Sequence, residues 1–201
     1  MAISTSQSRK DYTREPEQKG YTSNALPLFI KGLEEMKARQ ILDVGPVCNE
    51  NINFLAQRVR RLYICDMFIR VDRVRREKLP LHQVWRYLNY PPESFDGILL
   101  WGLVGRLDDQ EVGRLKEHCY RMVRRNGMVM AIVPSLHETR PLVNSFVIGE
   151  DYRLSLRPQP HLDLPLHIRQ NWAVLKLFSP FSIVKSFIYR DGIKEFLFRR
   201  T

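Results

Sequence analysis

From residue 23 onward, apolar positions alternate between helical spacing and short continuous runs. Leu26, Phe29, Ile30, Leu33 and Met36 form one helical stripe. Ser23 or Asn24 stands where a cap is needed, and Pro27 falls in the first turn, where its missing N–H has no consequence. Gln40 to Gly45 follows as a short apolar run suited to a buried parallel strand. Ile52, Leu55, Ala56 and Val59 predict a second helix, and Leu62 to Asp66 a second buried strand. Phe95 to Trp101 reads as another inner strand. Asp108 and Glu111 have the reciprocal spacing of a capping box ahead of a stripe of Val112, Leu115, Cys119, Met122 and Val123. Arg124 and Arg125 complement the negative end of that helix, and Gly127 suits the position just past it. Met128 to Val133 then predicts a strand stopped by Pro134.

Residues 135–166, with Pro141, Pro158, Pro160 and Pro165, predict a long segment covering one face of the domain. His167 to Phe178 has helical spacing. Ser182 to Tyr189 and Lys194 to Arg199 predict two strands joined at Arg190-Asp191-Gly192, a strong hairpin signal. Residues 1–20 are polar and charged and predict a flexible tail, leaving 21–201 as one domain. Strands and helices that alternate in this way predict the α/β class. The specific expectation is a Rossmann-like doubly wound sheet, mostly parallel, that ends in an antiparallel C-terminal hairpin.

Composition narrows the function classes. A chain of 201 residues with 44% hydrophobic content can bury one sizeable core. No run approaches the roughly 20 apolar residues that span a bilayer, and the first residues lack the pattern of a secretory signal. The expectation is a cytoplasmic protein with no membrane partner. Cys48, Cys65 and Cys119 are too few and too scattered for a disulfide framework or zinc knuckle, and Cys65 reads as a buried, inert thiol. His82, His118, His137, His161 and His167 show no ligand spacing, so no metal site is expected. The net charge of +10 is the unusual feature. Its arginines lie in short clusters (Arg58, Arg60 and Arg61; Arg70, Arg73, Arg75 and Arg76; Arg121, Arg124 and Arg125). That charge admits a nucleic-acid partner, although no aromatic-interleaved RNA-binding pattern accompanies it.

Several short motifs share one order. Ile41-Leu42-Asp43-Val44-Gly45 is an apolar strand running into a glycine loop, and Asp66 ends the next strand about 20 residues later. Glu93 to Leu100 is a further strand, Tyr120 to Gly127 a helix end before a strand, and the terminal hairpin closes the series. In this order the motifs resemble the class I S-adenosylmethionine-dependent methyltransferases over roughly residues 25–200. The resemblance implies S-adenosylmethionine as cofactor and in-line transfer of its methyl group to an acceptor, expected to be a small molecule. Positioning and desolvation would supply much of such catalysis, so no dedicated base is required and no catalytic residue is named.

The resemblance also implies the cofactor contacts. Gly45 and Pro46 would lie beside the methionine end, and Asp66 would accept the ribose hydroxyls. Met67 and Leu88, or the neighbouring Tyr87, would flank adenine, and Trp101 would wall the pocket. The loop departs from the family pattern. It reads Gly45-Pro46-Val47-Cys48-Asn49-Glu50-Asn51 and keeps only the first glycine. Val47 is β-branched, disfavours positive φ and can fill the approach path, whereas Asn49 tolerates the left-handed region. Tyr87 or Leu88 stands where the family often has an acid that contacts adenine. Two alternatives therefore stay open: a catalytically inactive methyltransferase-like scaffold, or a basic nucleic-acid-binding protein. Structural roles are open too. Asp43 can bond loop backbone, Asp66 can cap the next segment, Trp101 can be core, and Glu50 can be a first-turn acid favoured by the helix dipole.

Overall fold

A computed structural model describes residues 20–36, 39–134 and 142–201. Along the chain the elements are β1 (Gly20–Thr22), α1 (Ala25–Glu34), β2 (Gln40–Asp43), α2 (Asn49–Ala56), β3 (Arg61–Ile64) and α3 (Met67–Arg76). A 3₁₀ segment, Leu81–Leu88, leads to β4 (Phe95–Trp101), and a second, Leu103–Arg106, leads to α4 (Asp109–Met122). Then come β5 (Val123–Val133), β6 (Asn144–Ile148), β7 (Arg153–Pro158), α5 (Asn171–Leu177), β8 (Ser182–Ile188) and β9 (Lys194–Arg199). Six strands form the central sheet in the order β3-β2-β4-β5-β9-β8. The first four are parallel, and β9 runs antiparallel to both its neighbours. The predicted α/β class and doubly wound sheet are thus present.

β4 is buried at every position, as its unbroken apolar run predicts. β3, expected to be buried, is instead an edge strand with Arg61 and Ile64 exposed. Among the described residues no strand follows it along that side, where the chain winds through Leu81–Leu88 and packs on α3. At the other end of the sheet the hairpin turns where Arg190-Asp191-Gly192 predicts. Gly192 adopts φ 83°, open to glycine at no steric cost, and Asp191 Oδ1 accepts the Ile193 N–H at 3.1 Å.

Helix ends show what local sequence governs. α4 carries the predicted capping box: Asp108 Oδ1 accepts the Glu111 N–H at 2.8 Å, and Glu111 Oε2 accepts the Asp108 N–H at 2.8 Å. Its predicted stripe is buried throughout. β5 starts directly at Val123, with Asn126 (φ 66°) in the left-handed position expected of Gly127. α1 is capped differently. Ser23 Oγ accepts the Leu26 N–H at 3.0 Å, while Asn24 makes no side-chain cap. Glu195, wholly buried on β9, accepts the Asn24 and Ala25 N–H groups at 3.1 and 2.9 Å and the hydroxyls of Tyr21 and Tyr189 at 3.0 and 2.8 Å. Burial and the neighbouring carboxylate together push the Tyr21 hydroxyl far above its ordinary range.

α2 buries Asn51 and Leu55, while Ile52 is half-buried and Ala56 exposed. The predicted stripe is rotated because a second sheet, β1-β7-β6 and antiparallel throughout, lies against this helix. The helix predicted from His167 shortens to α5. Most of the predicted tail, and residues 135–141 of the predicted covering segment, lie outside the described residues. No described helix is long and apolar enough to cross a membrane.

Candidate functional site

The strand order reverses between β2 and β4: the chain leaves β2 toward β3 on one side and returns to β4 on the other. In an open α/β sheet the crevice outside the carboxyl ends of two such strands is where a ligand binds. Here the crevice is bounded by the Gly45 loop after β2 and by Trp101 at the end of β4. Backbone hydrogen bonds from Val44 to Leu99, Cys65 to Asp43 and Met67 to Val44 tie β2, β3 and β4 together at this end.

Trp101 packs against the Gly45 loop. It is 2% exposed and takes φ 47°, a left-handed conformation rare for a bulky side chain and costing about 1–3 kcal/mol. The β4–β5 register shifts between Leu99 and Trp101, so the strand is already irregular where this turn occurs. The indole lies directly on Gly45: a Cβ built there would come within 2.3 Å of Trp101 Cδ1. Glycine is required at this position by a side chain of the same molecule. The indole Nε1–H donates to Asp43 Oδ1 at 2.7 Å, and the Gly45 N–H donates to the same oxygen at 2.9 Å. Burial drives the Asp43 carboxyl up to about 6 against the opposing pull of these two donors.

The smaller sheet packs against this end of the fold. Phe146 of β6 stacks on Trp101, the planes 10° apart and the centroids 6.1 Å. Asn51 clamps β6 in place: its Nδ2 donates to Phe146 O at 2.8 Å, and its Oδ1 accepts the Ile148 N–H at 2.8 Å. At the first turn of α2, Glu50 pairs with Arg157 of β7 and accepts the Cys48 thiol at 3.0 Å. Arg157 first, then Cys48, hold the Glu50 carboxyl down to about 2. The cavity beside Phe146, bounded also by Phe68, Gly102, Arg106 and Leu156, measures about 10 Å³, room for roughly one water molecule.

The expected cofactor contacts fall as follows. Gly45 and Pro46 are buried, Met67 and Leu88 have no exposed surface and belong to the core, and Trp101 is nearly enclosed. Asp66 alone keeps partial exposure. Its Oδ1 caps α3 by accepting the Ile69 N–H at 3.0 Å, and its Oδ2 accepts the Val47 N–H at 3.3 Å. Burial raises its carboxyl above the usual range, with those backbone donors opposing. Val47, expected near the approach path, has a side chain 59% exposed. Tyr87 is also exposed, beneath the guanidinium of Arg70. Cys65 is buried and its thiol pushed up by that burial, as expected of an inert cysteine.

Sequence reasoning missed the polar groups that hold this end together. Arg106, 3% exposed, donates to the carbonyls of Leu142 and Leu164 at 2.6 and 3.3 Å. Arg169, 6% exposed, donates to the Val104 and Leu107 carbonyls at 2.7 and 2.6 Å and pairs with Asp109. The one available signal was Arg106 inside an apolar run, Leu103-Val104-Gly105-Arg106-Leu107. A charge there must find buried acceptors.

No family model and no curated protein sequence matches the chain. Solved structures do. The N-methyltransferase NodS from Bradyrhizobium japonicum is 13% identical, with 88% of this chain and 93% of that chain covered and a TM-score of 0.53. An S-adenosylmethionine-dependent methyltransferase from Mesorhizobium loti is 13% identical, with 85% and 96% covered and a TM-score of 0.52. Another from Aquifex aeolicus is 13% identical, with 87% and 89% covered and a TM-score of 0.53. At such identities likeness speaks to architecture, and it agrees with the sheet order and terminal hairpin described above: the chain has the Rossmann-like fold of the class I S-adenosylmethionine-dependent methyltransferases.

Proposed function

We propose that this chain is a methyltransferase-fold scaffold that holds no S-adenosylmethionine and works by binding a partner. The observation that carries this reading is the Trp101 indole seated on Gly45 and hydrogen-bonded to Asp43. On this reading the methionine end of a cofactor would approach the backbone of that loop, where the indole already lies against Gly45, and the residues present would not fit it. Expelling a buried indole costs about 3–5 kcal/mol, which would weaken a ligand's Kd by roughly two to four orders of magnitude. The α5 face supports a protein partner, since Trp172 and Leu175 are one helical turn apart and 65% and 37% exposed. The enzyme reading, methyl transfer to a small-molecule acceptor, draws on the fold and on the partial exposure of Asp66. A fold alone does not fix function.

Calorimetric titration of the full chain with S-adenosylmethionine and with S-adenosylhomocysteine tests the proposal. The expected result is no saturable heat up to about 1 mM ligand. A Kd of about 100 µM or tighter for either ligand overturns it.

A further inference from the structure

A second concavity lies on the sheet's β3 side, between α3 and the 3₁₀ segment Leu81–Leu88. It measures about 310 Å³ and shares no lining residue with the Gly45 loop. Arg70, Arg73 and Arg86 line it, and among the described residues no carboxylate does. Their local partners are weak or incomplete. The Arg70 guanidinium lies 3.6 Å from the Tyr87 ring centroid, which fixes its plane, and its buried Nε has no hydrogen-bond partner. Arg86 makes only long contacts with Gln83, 3.4 and 3.5 Å. Arg73 pairs with Glu77 where both side chains are solvated (69% and 45% exposed), a pairing that another anion can replace.

Glu77 pairs with Arg73, and the Asp66 carboxylate lies within electrostatic reach of Arg70; the three guanidiniums still leave the cleft net positive, as an anionic phosphate group requires. Guanidinium forks match phosphate oxygens two at a time, which a point charge cannot do. The rest of the lining is apolar and open: Ile69, Leu79 and Tyr87 are 47%, 40% and 42% exposed. This surface suits an organic group larger than the phosphate itself, and the volume lies at the small end of ordinary ligand sites. We propose that the cleft binds a phosphorylated small molecule of nucleoside-monophosphate size, its phosphate on Arg70, Arg73 and Arg86 and its organic part on Ile69, Leu79 and Tyr87. The cleft adjoins the expected adenine end of the Gly45 crevice through Tyr87 and Arg70, but its phosphate contacts Arg73 and Arg86 lie outside the residues expected to hold that cofactor.

The test is titration of the full chain at low salt with adenosine monophosphate, inorganic phosphate and adenosine. The monophosphate should bind at least about tenfold more tightly than inorganic phosphate, adenosine should not bind, and added salt should weaken the interaction. Arg86→Gln and Arg73→Gln, both on exposed side chains, should each lower affinity about tenfold with Tm unchanged. The proposal is overturned by any of four results: no monophosphate binding at about 1 mM, equal binding of adenosine, equal binding of inorganic phosphate, or unchanged affinity in both variants. A 5′-phosphorylated oligonucleotide that displaces the monophosphate far more effectively than its own weight of nucleotide would likewise overturn it, in favour of a nucleic-acid end.

Discussion

Trp101→Ala would empty the space between Gly45 and Phe146. The side chain is 2% exposed, and truncating a buried Trp costs about 3–5 kcal/mol through lost transfer energy and the void left behind. The indole N–H that satisfied Asp43 Oδ1 also disappears, adding about 1 kcal/mol. Alanine retains the left-handed backbone at φ 47°, so that strain is not relieved. Glycine relieves it by about 1–2 kcal/mol and returns about 0.5–1 in chain entropy, so Trp101→Gly should be no less stable than Trp101→Ala. That reverses the usual order for a strand residue. Trp101→Phe keeps most of the bulk and should lose only about 1–2 kcal/mol. Urea unfolding followed by far-ultraviolet circular dichroism gives each difference from the midpoint at constant m. A loss below about 1 kcal/mol for Trp101→Ala would refute the packing argument, because it would mean the indole swings freely into solvent.

Three further outcomes follow from the same site and its supports. Asp43, driven up to about 6 by burial, contributes stability that is present below the ordinary carboxylate range near pH 4 and lost as pH rises through about 6. Asp43→Asn keeps an acceptor for Gly45 and Trp101 and removes that titration. Its stability relative to wild type should therefore improve by roughly 2 kcal/mol between pH 4 and pH 7.5, and a flat difference in paired unfolding curves would contradict this. Asn51→Ala leaves Phe146 O and the Ile148 N–H without partners, costing about 2–4 kcal/mol, and amide exchange at Ile148 should accelerate while the β5–β9 pairing stays protected. Glu195→Ala strips the buried acceptor from α1 and from two tyrosines; a loss of about 3 kcal/mol or more is expected by urea unfolding, and a change under 1 kcal/mol would contradict the capping role.

What the sequence revealed was local. β4 was readable because both its faces are buried and its run is unbroken. The α4 capping box and the Asp191-Gly192 turn were readable because donor, acceptor and backbone conformation lie within a few residues. The edge position of β3 was not, since an apolar run does not tell how many neighbours a strand has. Nor was the Glu195 cap, which joins residues at opposite ends of the chain. At the site, Gly45 drew attention as a glycine beside a strand, but a missing Cβ serves a ligand and an indole equally well. The positive φ of Trp101 brings the indole onto Gly45, and no propensity predicts that angle for tryptophan. Asp66 shows the same ambiguity: an acid at a strand tip can take ribose hydroxyls or cap the next helix, and here it caps α3.

The Trp101 indole N–H, observed directly in a ¹⁵N-labelled sample and assigned with Trp101→Phe, tests the central claim most closely. We predict a resonance protected from hydrogen exchange by its bond to Asp43 and unmoved when S-adenosylhomocysteine is added to about 1 mM. Fast exchange, or a saturable shift of that resonance with ligand, would show that the crevice opens and that the cofactor seat is intact.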